Sequence, residues 1–263
     1  MAKAVQKTAL SAKMNISVEI YKTRKAMGEA AGKKAEELIL QCLKQKKEVR
    51  IIAASAPSQN EILAYLAKSR AIDWSRITAF HMDEYMNIAW DAPQNFGHFL
   101  RVNLFSKVPV KKVHYIQGCT ETEEECKRYT ALLKKAPIDV LLCGIGENGH
   151  LAFNDPPVAD FNDPLSVKVV KLDAVCRNQQ VHDGCFPSIN DVPKQALTLT
   201  IPMLMSAAHA VCTVPGPTKT AAVGRMLNGP VETKCPSSIL RLHPDCYVFL
   251  DAESGKQFLQ RTP

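Results

Sequence analysis

The chain contains 263 residues, of which 46% are hydrophobic, a length that suits one large α/β domain or two small ones. The net charge is +7, the basic residues are spread along the chain, and only 6% of residues are aromatic, so we expect no nucleic-acid partner. The positive charge does suit an anionic substrate. No window of about 18 uncharged apolar residues occurs, so we expect no transmembrane helix. The N-terminus contains no apolar core of signal-peptide length, so we expect no signal peptide.

The order of apolar and polar residues predicts strands alternating with helices. Helices are predicted where apolar residues recur every three or four positions, and strands where short apolar runs end in polar residues. In chain order the predicted elements are helix 26–46, strand 50–54, a helix through 62–66, strand 77–80, helix 95–105, strand 113–116, a helix capped by Thr120 or Thr122 and ending near 135, strands 138–143, 167–172 and 196–200, helix 202–206, strand 208–214, helix 217–227 and strand 246–250. This alternation predicts a single α/β domain over residues 1–263, with a mainly parallel, Rossmann-like sheet flanked by helices.

The nine cysteines are an odd number, and none of them is in C-x-x-C spacing. Cys143, Cys212 and Cys246 lie in apolar, strand-like runs. They are typical of small buried side chains in a reducing compartment rather than of a disulfide framework. No Cys/His cluster has the spacing of zinc ligands, so no metal site is predicted.

Four polar segments each follow a predicted strand, at residues 55–59, 83–85, 144–155 and 214–219. The carboxyl ends of parallel strands lie along one edge of a sheet, where ligands bind. We therefore expect these four segments to meet in a single site.

Two of these segments have features of an anion site. Ser55, Ala56 and Ser58 lead into a helix, and backbone N–H groups at a helix start bind anions. Serine and proline at this place are also ordinary capping residues. Lys219 lies in the first turn of another helix, where the helix dipole disfavours a cation. A bound anionic ligand would explain a lysine at this unfavourable position. The alternative is that Lys219 is exposed to solvent on the surface of the helix.

The other two segments carry groups suited to proton transfer. Asp83 and Glu84 are neighbours, and we hypothesise that one carboxylate faces the cleft as a general base while the other holds the loop. His150 follows a glycine and precedes Asp155, and a carboxylate beside an imidazole fixes its tautomer. Exposed turn acids and a structural histidine are the alternatives.

Longer motifs resemble the glucosamine-6-phosphate deaminase (isomerase) family. They keep the family's order over nearly the whole chain, and they are MDEY at 82–85, GIGENGHLAFNDP at 144–156, DVPKQALTLTIPMLMSAAHAV at 191–211, VPGPTKTAAV at 214–223 and CPSSILRLHPDCYVFLD at 235–251. In the related 6-phosphogluconolactonases an Ala-Ser-Leu-Phe-Pro-like run follows the histidine. The run Ala-Phe-Asn-Asp-Pro at 152–156 is similar to the deaminases instead.

This resemblance implies a NagB/RpiA-like fold and a cytoplasmic enzyme of amino-sugar catabolism that acts on a sugar phosphate without a metal or organic cofactor. The implied reaction converts an aminosugar 6-phosphate and water to a ketose 6-phosphate and ammonia. By position, Asp83 matches the base that moves a proton between C2 and C1, and His150 matches the group that opens the sugar ring, supported by Asp155 and Asn148. The implied substrate- and phosphate-binding residues are Ser55, Ala56, Ser58, Glu84, Gly146, Arg177 and Lys219.

The chain also departs from the family pattern. Asn148 stands where the family usually has an acid, and the loop at 55–58 has fewer glycines than the usual Thr-Gly-Gly-Thr-like run. Arg177 is considered as a substitute for a phosphate-binding arginine that aligns near His182. These departures leave a 6-phosphogluconolactonase or a non-catalytic sugar-phosphate sensor as alternatives. The sequence leaves the sugar epimer open. It also leaves the oligomeric state open, with a homo-oligomer as one alternative.

Overall fold

A computed structural model describes residues 6–9, 16–118 and 121–259 of the chain. Its strands and helices, in chain order, are β1 (Gln6–Ala9), β2 (Ile16–Tyr21), α1 (Arg24–Gln45), β3 (Val49–Ala53), α2 (Asn60–Leu66), β4 (Ile77–His81), β5 (Asp83–Tyr85), α3 (Phe96–Leu100), β6 (Lys112–His114), α4 (Thr122–Leu133), β7 (Val140–Cys143), β8 (Val167–Lys171), α5 (Ala174–His182), β9 (Gln195–Leu199), α6 (Ile201–Met205), β10 (His209–Val214), α7 (Thr220–Asn228), β11 (Cys246–Asp251) and α8 (Lys256–Leu259). Short 3-10 turns at Pro57–Gln59 and Pro217–Lys219 lead into α2 and α7.

The main sheet has eight strands in the order β1-β2-β11-β10-β7-β3-β4-β6. Neighbouring strands are parallel, except that β1 runs antiparallel to β2. The predicted α/β class with a mainly parallel, helix-flanked sheet is therefore confirmed. This order sets the carboxyl ends of β10, β7, β3 and β4 side by side along one edge.

Both faces of the main sheet are buried, because alternate side chains of each strand point to opposite faces. Ile52 and Leu141 belong to a core on one face, together with apolar residues of α4 and α7. Ile51 and Leu142 belong to a second core with apolar residues of α1 and α2. Burial on both faces explains why the strands are near-continuous apolar runs in the sequence.

A separate three-stranded antiparallel sheet, in the order β5-β9-β8, lies outside the parallel one. The strands predicted at 167–172 and 196–200 exist, and they pair with each other in this second sheet and not in the parallel one. The pattern of apolar residues identifies a strand without identifying its pairing partner. The segment at 83–85, expected as a loop, is strand β5 and pairs with β9.

Other differences concern elements and caps. β2 and α5 are absent from the predicted elements, although β2 alternates buried and half-buried residues along ISVEIY. The predicted helix at 95–105 is α3 followed by one π-helical turn, Arg101–Phe105. Thr120 lies outside the described residues. Thr122 begins α4 without capping it, since the N-cap position is Glu121.

Two observations bear on the surroundings of the chain. Within the described ranges, no helix combines the length and the apolar character that a membrane span requires. The cysteines of these ranges carry free thiols, and most of them are buried.

Candidate active site

The carboxyl edge of the main sheet holds a cleft of about 190 Å³. Each of the four polar segments predicted from the sequence contributes to its walls: residues 55–59, Asp83, several residues of 144–153, and the segment 215–219. The expected convergence of these segments is confirmed. The reason is topological, because the strands that precede them are neighbours in the sheet.

Lys219 brings a buried positive charge to this cleft. The residue is only 5% exposed, and in the described part of the chain no group forms a hydrogen bond or ion pair with its ammonium. Burial lowers the pKa of Lys219, while the charges of Asp183 and Glu147 act in the opposite direction. A buried ammonium without a partner is unfavourable. Its environment therefore favours an anionic ligand.

The loop between β3 and α2 forms a polar wall of the cleft. Ser55 donates its hydroxyl to the carbonyl of Phe96 at 3.1 Å. Gln59 donates to the Ser58 hydroxyl at 3.2 Å and to the carbonyl of Cys143 at 3.4 Å. A Cβ atom at Gly144 would lie 2.9 Å from the Gln59 amide, so glycine is needed for this close approach. The loop is thus braced against the end of β7.

Asp83 and Glu84 point to opposite sides of β5. Asp83 lines the cleft. Glu84 is fully buried and accepts hydrogen bonds from the backbone N–H groups of Tyr85 at 3.0 Å, Phe96 at 3.1 Å and Gly97 at 3.0 Å. Burial, and secondarily the charge of Glu84, raise the pKa of Asp83 well above its usual range. One carboxylate therefore faces the cleft, and the other holds the start of α3.

The pKa of Glu84 predicts a pH dependence of stability. Burial raises this pKa from 4.5 to about 7, although the three backbone N–H groups oppose the shift. Folded Glu84 keeps its proton to a higher pH than unfolded Glu84 does, so the free energy of unfolding should decrease as the pH rises between these two values. Urea denaturation of the wild type and of Glu84→Gln at about pH 5 and about pH 8 measures this decrease. We expect a smaller decrease in the variant; equal decreases would contradict the assignment.

His150 is oriented by a small group of buried polar side chains. Its Nδ1 lies 2.9 Å from Asp155 Oδ1, and the same oxygen accepts a hydrogen bond from Asn148 Nδ2 at 2.8 Å. The Asn148 carbonyl oxygen accepts from the backbone N–H of His150 at 3.0 Å. Burial acts to raise the pKa of Asp155, but its interactions with His150, Asn148 and Cys176 outweigh burial and lower it. The carboxylate beside the imidazole is therefore ionised at neutral pH.

Asn148 is well suited to this place because an amide both donates and accepts hydrogen bonds. Its NH2 group faces the Asp155 carboxylate, and its oxygen faces the His150 backbone N–H. A carboxylate in the same position accepts only, so it cannot donate to Asp155. The residue that departs from the family pattern thus has a partner for its NH2 group and a partner for its oxygen.

The backbone around His150 is tightly constrained. A Cβ atom on Gly146 would lie 2.1–2.3 Å from three atoms of the imidazole ring, so only glycine leaves room for it. Ala152 has a φ of 50°, in the left-handed region that non-glycine residues rarely adopt. Asn154 holds this turn by donating to the carbonyls of Leu151 and Leu199, both at 2.8 Å. The turn is therefore fixed to β9.

An aromatic cluster supports the cleft from below. Tyr85 packs against Phe96, Phe153 and Phe186, with ring centroids 4.8, 5.3 and 5.4 Å apart. Phe96 and Phe153 also line the cleft and are stacked on each other. These contacts join β5, which carries Asp83, to the turn that follows His150.

Four of the implied site residues do not line the cleft. Glu84 faces away from it, and Asp155 and Asn148 lie behind His150. Arg177, on α5, donates to the backbone carbonyls of Ile189 at 2.5 Å and Val192 at 3.1 Å. The remaining seven are Asp83, His150, Ser55, Ala56, Ser58, Gly146 and Lys219, and all of them line the cleft.

Some lining residues escaped the sequence analysis. Gln179, Gln180 and Asp183 come from α5 and its C-terminal end, an element absent from the prediction. Arg24 comes from the first turn of α1. A cation in a first helical turn was the signal used for Lys219, and the same signal is present at Arg24.

One group of side chains has the composition of a metal site. Among the described residues, His150, Asp155 and Cys176 form a set of three possible ligands, with ligand atoms within 4.8 Å of one another. Two of the three are already paired with each other. His150 and Asp155 thus form an ion-pair contact with each other, and Cys176 lies beside them.

Comparison with known proteins identifies relatives of this chain. The sequence profile of a family described as glucosamine-6-phosphate isomerases/6-phosphogluconolactonase matches residues 22–248. Glucosamine-6-phosphate deaminases of Bacillus cereus and Bacillus thuringiensis are each 32% identical over 240 residues, which is 91% of this chain and 88% of theirs.

Solved structures show the same similarity. A monomeric glucosamine-6-phosphate deaminase of the NagB superfamily aligns with a TM-score of 0.82 at 27% identity, covering 91% of this chain and 98% of its own. A 6-phosphogluconolactonase of Thermotoga maritima aligns with a TM-score of 0.74 at 18% identity, covering 90% and 99%. At 18% identity, the similarity to the 6-phosphogluconolactonase shows a shared fold only.

Proposed function

This chain belongs to the family of glucosamine-6-phosphate isomerases and 6-phosphogluconolactonases and is an enzyme of that family; on that premise we propose that it deaminates an aminosugar 6-phosphate. The substrate is glucosamine 6-phosphate or an epimer, and the products are a ketose 6-phosphate and ammonia. Curated relatives that cover most of the chain are named for this reaction. The proposal also includes a single domain over residues 1–263 and a cytoplasmic role in N-acetylglucosamine breakdown.

The observation that carries the proposal is that three groups share one cleft. Asp83, His150 and Lys219 all line it, although they follow three different strands of the sheet. Lys219 supplies a buried cation for the phosphate, and the other two supply a carboxylate and an imidazole for proton transfer. Anchoring the phosphate away from the reacting carbons holds C1 and C2 in place, and such positioning lowers the barrier.

His150 is proposed to open the sugar ring. Opening requires a proton on the ring oxygen and removal of the proton from the anomeric hydroxyl, and one imidazole performs both steps in turn. Asp155 Oδ1 lies 2.9 Å from Nδ1, which leaves Nε2 as the atom that exchanges protons with the sugar. The steric fit of Gly146 against the ring keeps the imidazole in this orientation.

Asp83 is proposed to move the proton between C2 and C1. In the open aldehyde its carboxylate removes the proton on C2 while the substrate's own ammonium gives a proton to O1, which yields an enolamine, and Asp83 then returns its proton to C1. The resulting iminium carbon C2 takes up water and releases ammonia, so the water oxygen becomes the ketone oxygen. The raised pKa of Asp83 suits this role, because a base whose pKa approaches the working pH both accepts and returns a proton.

A substrate screen tests the proposal. Purified protein is incubated with the 6-phosphates of glucosamine, galactosamine and mannosamine, and ammonia and ketose 6-phosphate are quantified. We expect release of both products in equal amounts from at least one of them. A parallel assay measures hydrolysis of 6-phosphogluconolactone, the reaction of fold relatives. Lactone hydrolysis without ammonia release would replace the proposal with the lactonase alternative, and sugar-phosphate binding without any product would indicate a sensor.

A further inference from the structure

Arg24 brings a second permanent cation to the cleft from an element that none of the family motifs includes. It is the first residue of α1 and follows the N-cap Thr23. β2 runs parallel to β11, so the start of α1 opens toward the same edge of the sheet as the cleft. Among the residues that line the cleft, Arg24 and Lys219 are the lysine and arginine side chains.

The guanidinium of Arg24 is held over the loop that precedes α2. Its Nε donates to Glu61 Oε1 at 2.8 Å, and its Nη2 donates to the carbonyl of Pro57. Arginine has five N–H donors in a planar fork, and these contacts use two of them. The side chain is 41% exposed, so the remaining donors are accessible to a ligand in the cleft.

The position of Arg24 is unfavourable unless negative charge is near. The N-terminal end of a helix carries a partial positive charge, and the first turn of α1 contains no acidic residue. Glu61 offsets part of this effect. A guanidinium shared between a carboxylate and a phosphate is a favourable arrangement because its fork geometry matches both.

Among the residues that the structure describes, no other arginine lines the cleft. Arg177, the substitute considered from the sequence, donates to the carbonyls of Ile189 and Val192 and does not line the cleft. A phosphate monoester carries a charge of about −1.5 to −2 near neutral pH. Lys219 alone leaves much of that charge uncompensated.

We propose that Arg24 is a phosphate-binding residue of this enzyme and that, with Lys219, it holds the phosphate group of the sugar phosphate substrate. This rests on the proposed function for the identity of the substrate. The site of the anion is then formed by the 3-10 turns at Pro57–Gln59 and Pro217–Lys219 together with the first turn of α1.

The test uses the full chain and the variants Arg24→Gln and Arg24→Lys. Lys25→Gln is the matched control, because Lys25 is the next residue of α1, is exposed, and does not line the cleft. Calorimetry measures the affinity for inorganic phosphate and for glucosamine 6-phosphate. Steady-state assays of ammonia release measure KM and kcat separately.

We expect Arg24→Gln to weaken the binding of both ligands and to raise KM by about 10-fold. This effect is at the lower end of the range for a charge-assisted hydrogen bond, because the side chain is partly exposed. The kcat should change little, because the proposed role of Arg24 is to bind the phosphate and not to transfer a proton. Arg24→Lys should recover part of the affinity, and Lys25→Gln should bind as the wild type does.

Glu61→Gln separates phosphate binding from a purely structural role. If Arg24 served only to join α1 to the loop through Glu61, removal of the Glu61 charge would weaken phosphate binding as much as Arg24→Gln does. If Arg24 binds phosphate, Glu61→Gln leaves the positive charge in place and should bind phosphate as tightly as the wild type or more tightly. Wild-type affinity in Arg24→Gln, or an equal loss in Glu61→Gln, would overturn the inference.

The calorimetric measurement does not depend on turnover. Weaker phosphate binding in Arg24→Gln together with an absence of ammonia release would support the role of Arg24 and refute the deaminase reaction. Ammonia release by the wild type together with unchanged phosphate affinity in Arg24→Gln would support the deaminase reaction and refute the role of Arg24.

Discussion

Replacing Asp83 by asparagine, or His150 by glutamine, is expected to lower the rate of ammonia release by about 100- to 10,000-fold, the usual contribution of a general acid or base. Both side chains line the same cleft; asparagine has nearly the same shape as aspartate, and glutamine keeps a polar group of similar length in place of the imidazole. The loss should therefore be one of proton transfer. The measurement is kcat on the aminosugar 6-phosphate found in the substrate screen.

The two variants should fail at different steps. Asp83→Asn keeps the imidazole, so ring opening continues, but it lacks the base that removes the C2 proton. In deuterated water, we expect no deuterium at C2 of recovered substrate with Asp83→Asn. His150→Gln should instead act slowly on the ring form and regain activity on a substrate analogue that is already open.

A second histidine–aspartate pair provides matched controls. His209 begins β10, and its Nδ1 lies 2.5 Å from Asp245 Oδ2, at the opposite edge of the sheet from the cleft. His209→Gln and Asp245→Asn make the same chemical changes away from the cleft and should retain wild-type kcat. Full activity in both Asp83→Asn and His150→Gln would show that the assigned roles are wrong.

The sequence was sufficient to predict the parallel sheet because buried strands and the polar residues that end them are local patterns. The run before Gly144 and the run before Ser55 each show a strand and its end without any knowledge of their partners. The rule that parallel strands end on one edge then brought Asp83, His150 and Lys219 together, as the structure does.

What could not be predicted depends on contacts between distant segments. The antiparallel pairing of β5 with β9 is a property of two strands far apart in the chain, and neither pattern encodes it. Arg24 reaches the cleft through the position of β2 beside β11. Arg177 looked available because it is charged, yet it does not line the cleft, and its Nη2 donates to two backbone carbonyls. The presence of a charged residue in the sequence does not reveal which groups its side chain contacts in the folded protein.

Gly146→Ala is expected to reduce activity by about 100-fold with a much smaller effect on stability, because a displacement near 1 Å at a catalytic group has a kinetic effect of that size. The added Cβ would lie 2.1–2.3 Å from three ring atoms of His150, so the imidazole must turn away. The ring is a terminal group and can move, which limits the loss of folding free energy to about 1–3 kcal/mol. Assays of kcat/KM and thermal unfolding measure the two effects.

Gly224→Ala is the control for this substitution. The added Cβ at Gly224 in α7 would meet only the end of the exposed Gln257 side chain, which can rotate into solvent. Alanine also favours the helix, so this variant should keep wild-type activity and stability. If Gly146→Ala keeps wild-type kcat/KM while folding normally, the orientation of His150 is not set by the space at Gly146. The imidazole would then need another constraint, and Asp155, whose Oδ1 lies 2.9 Å from Nδ1, would have to provide it alone.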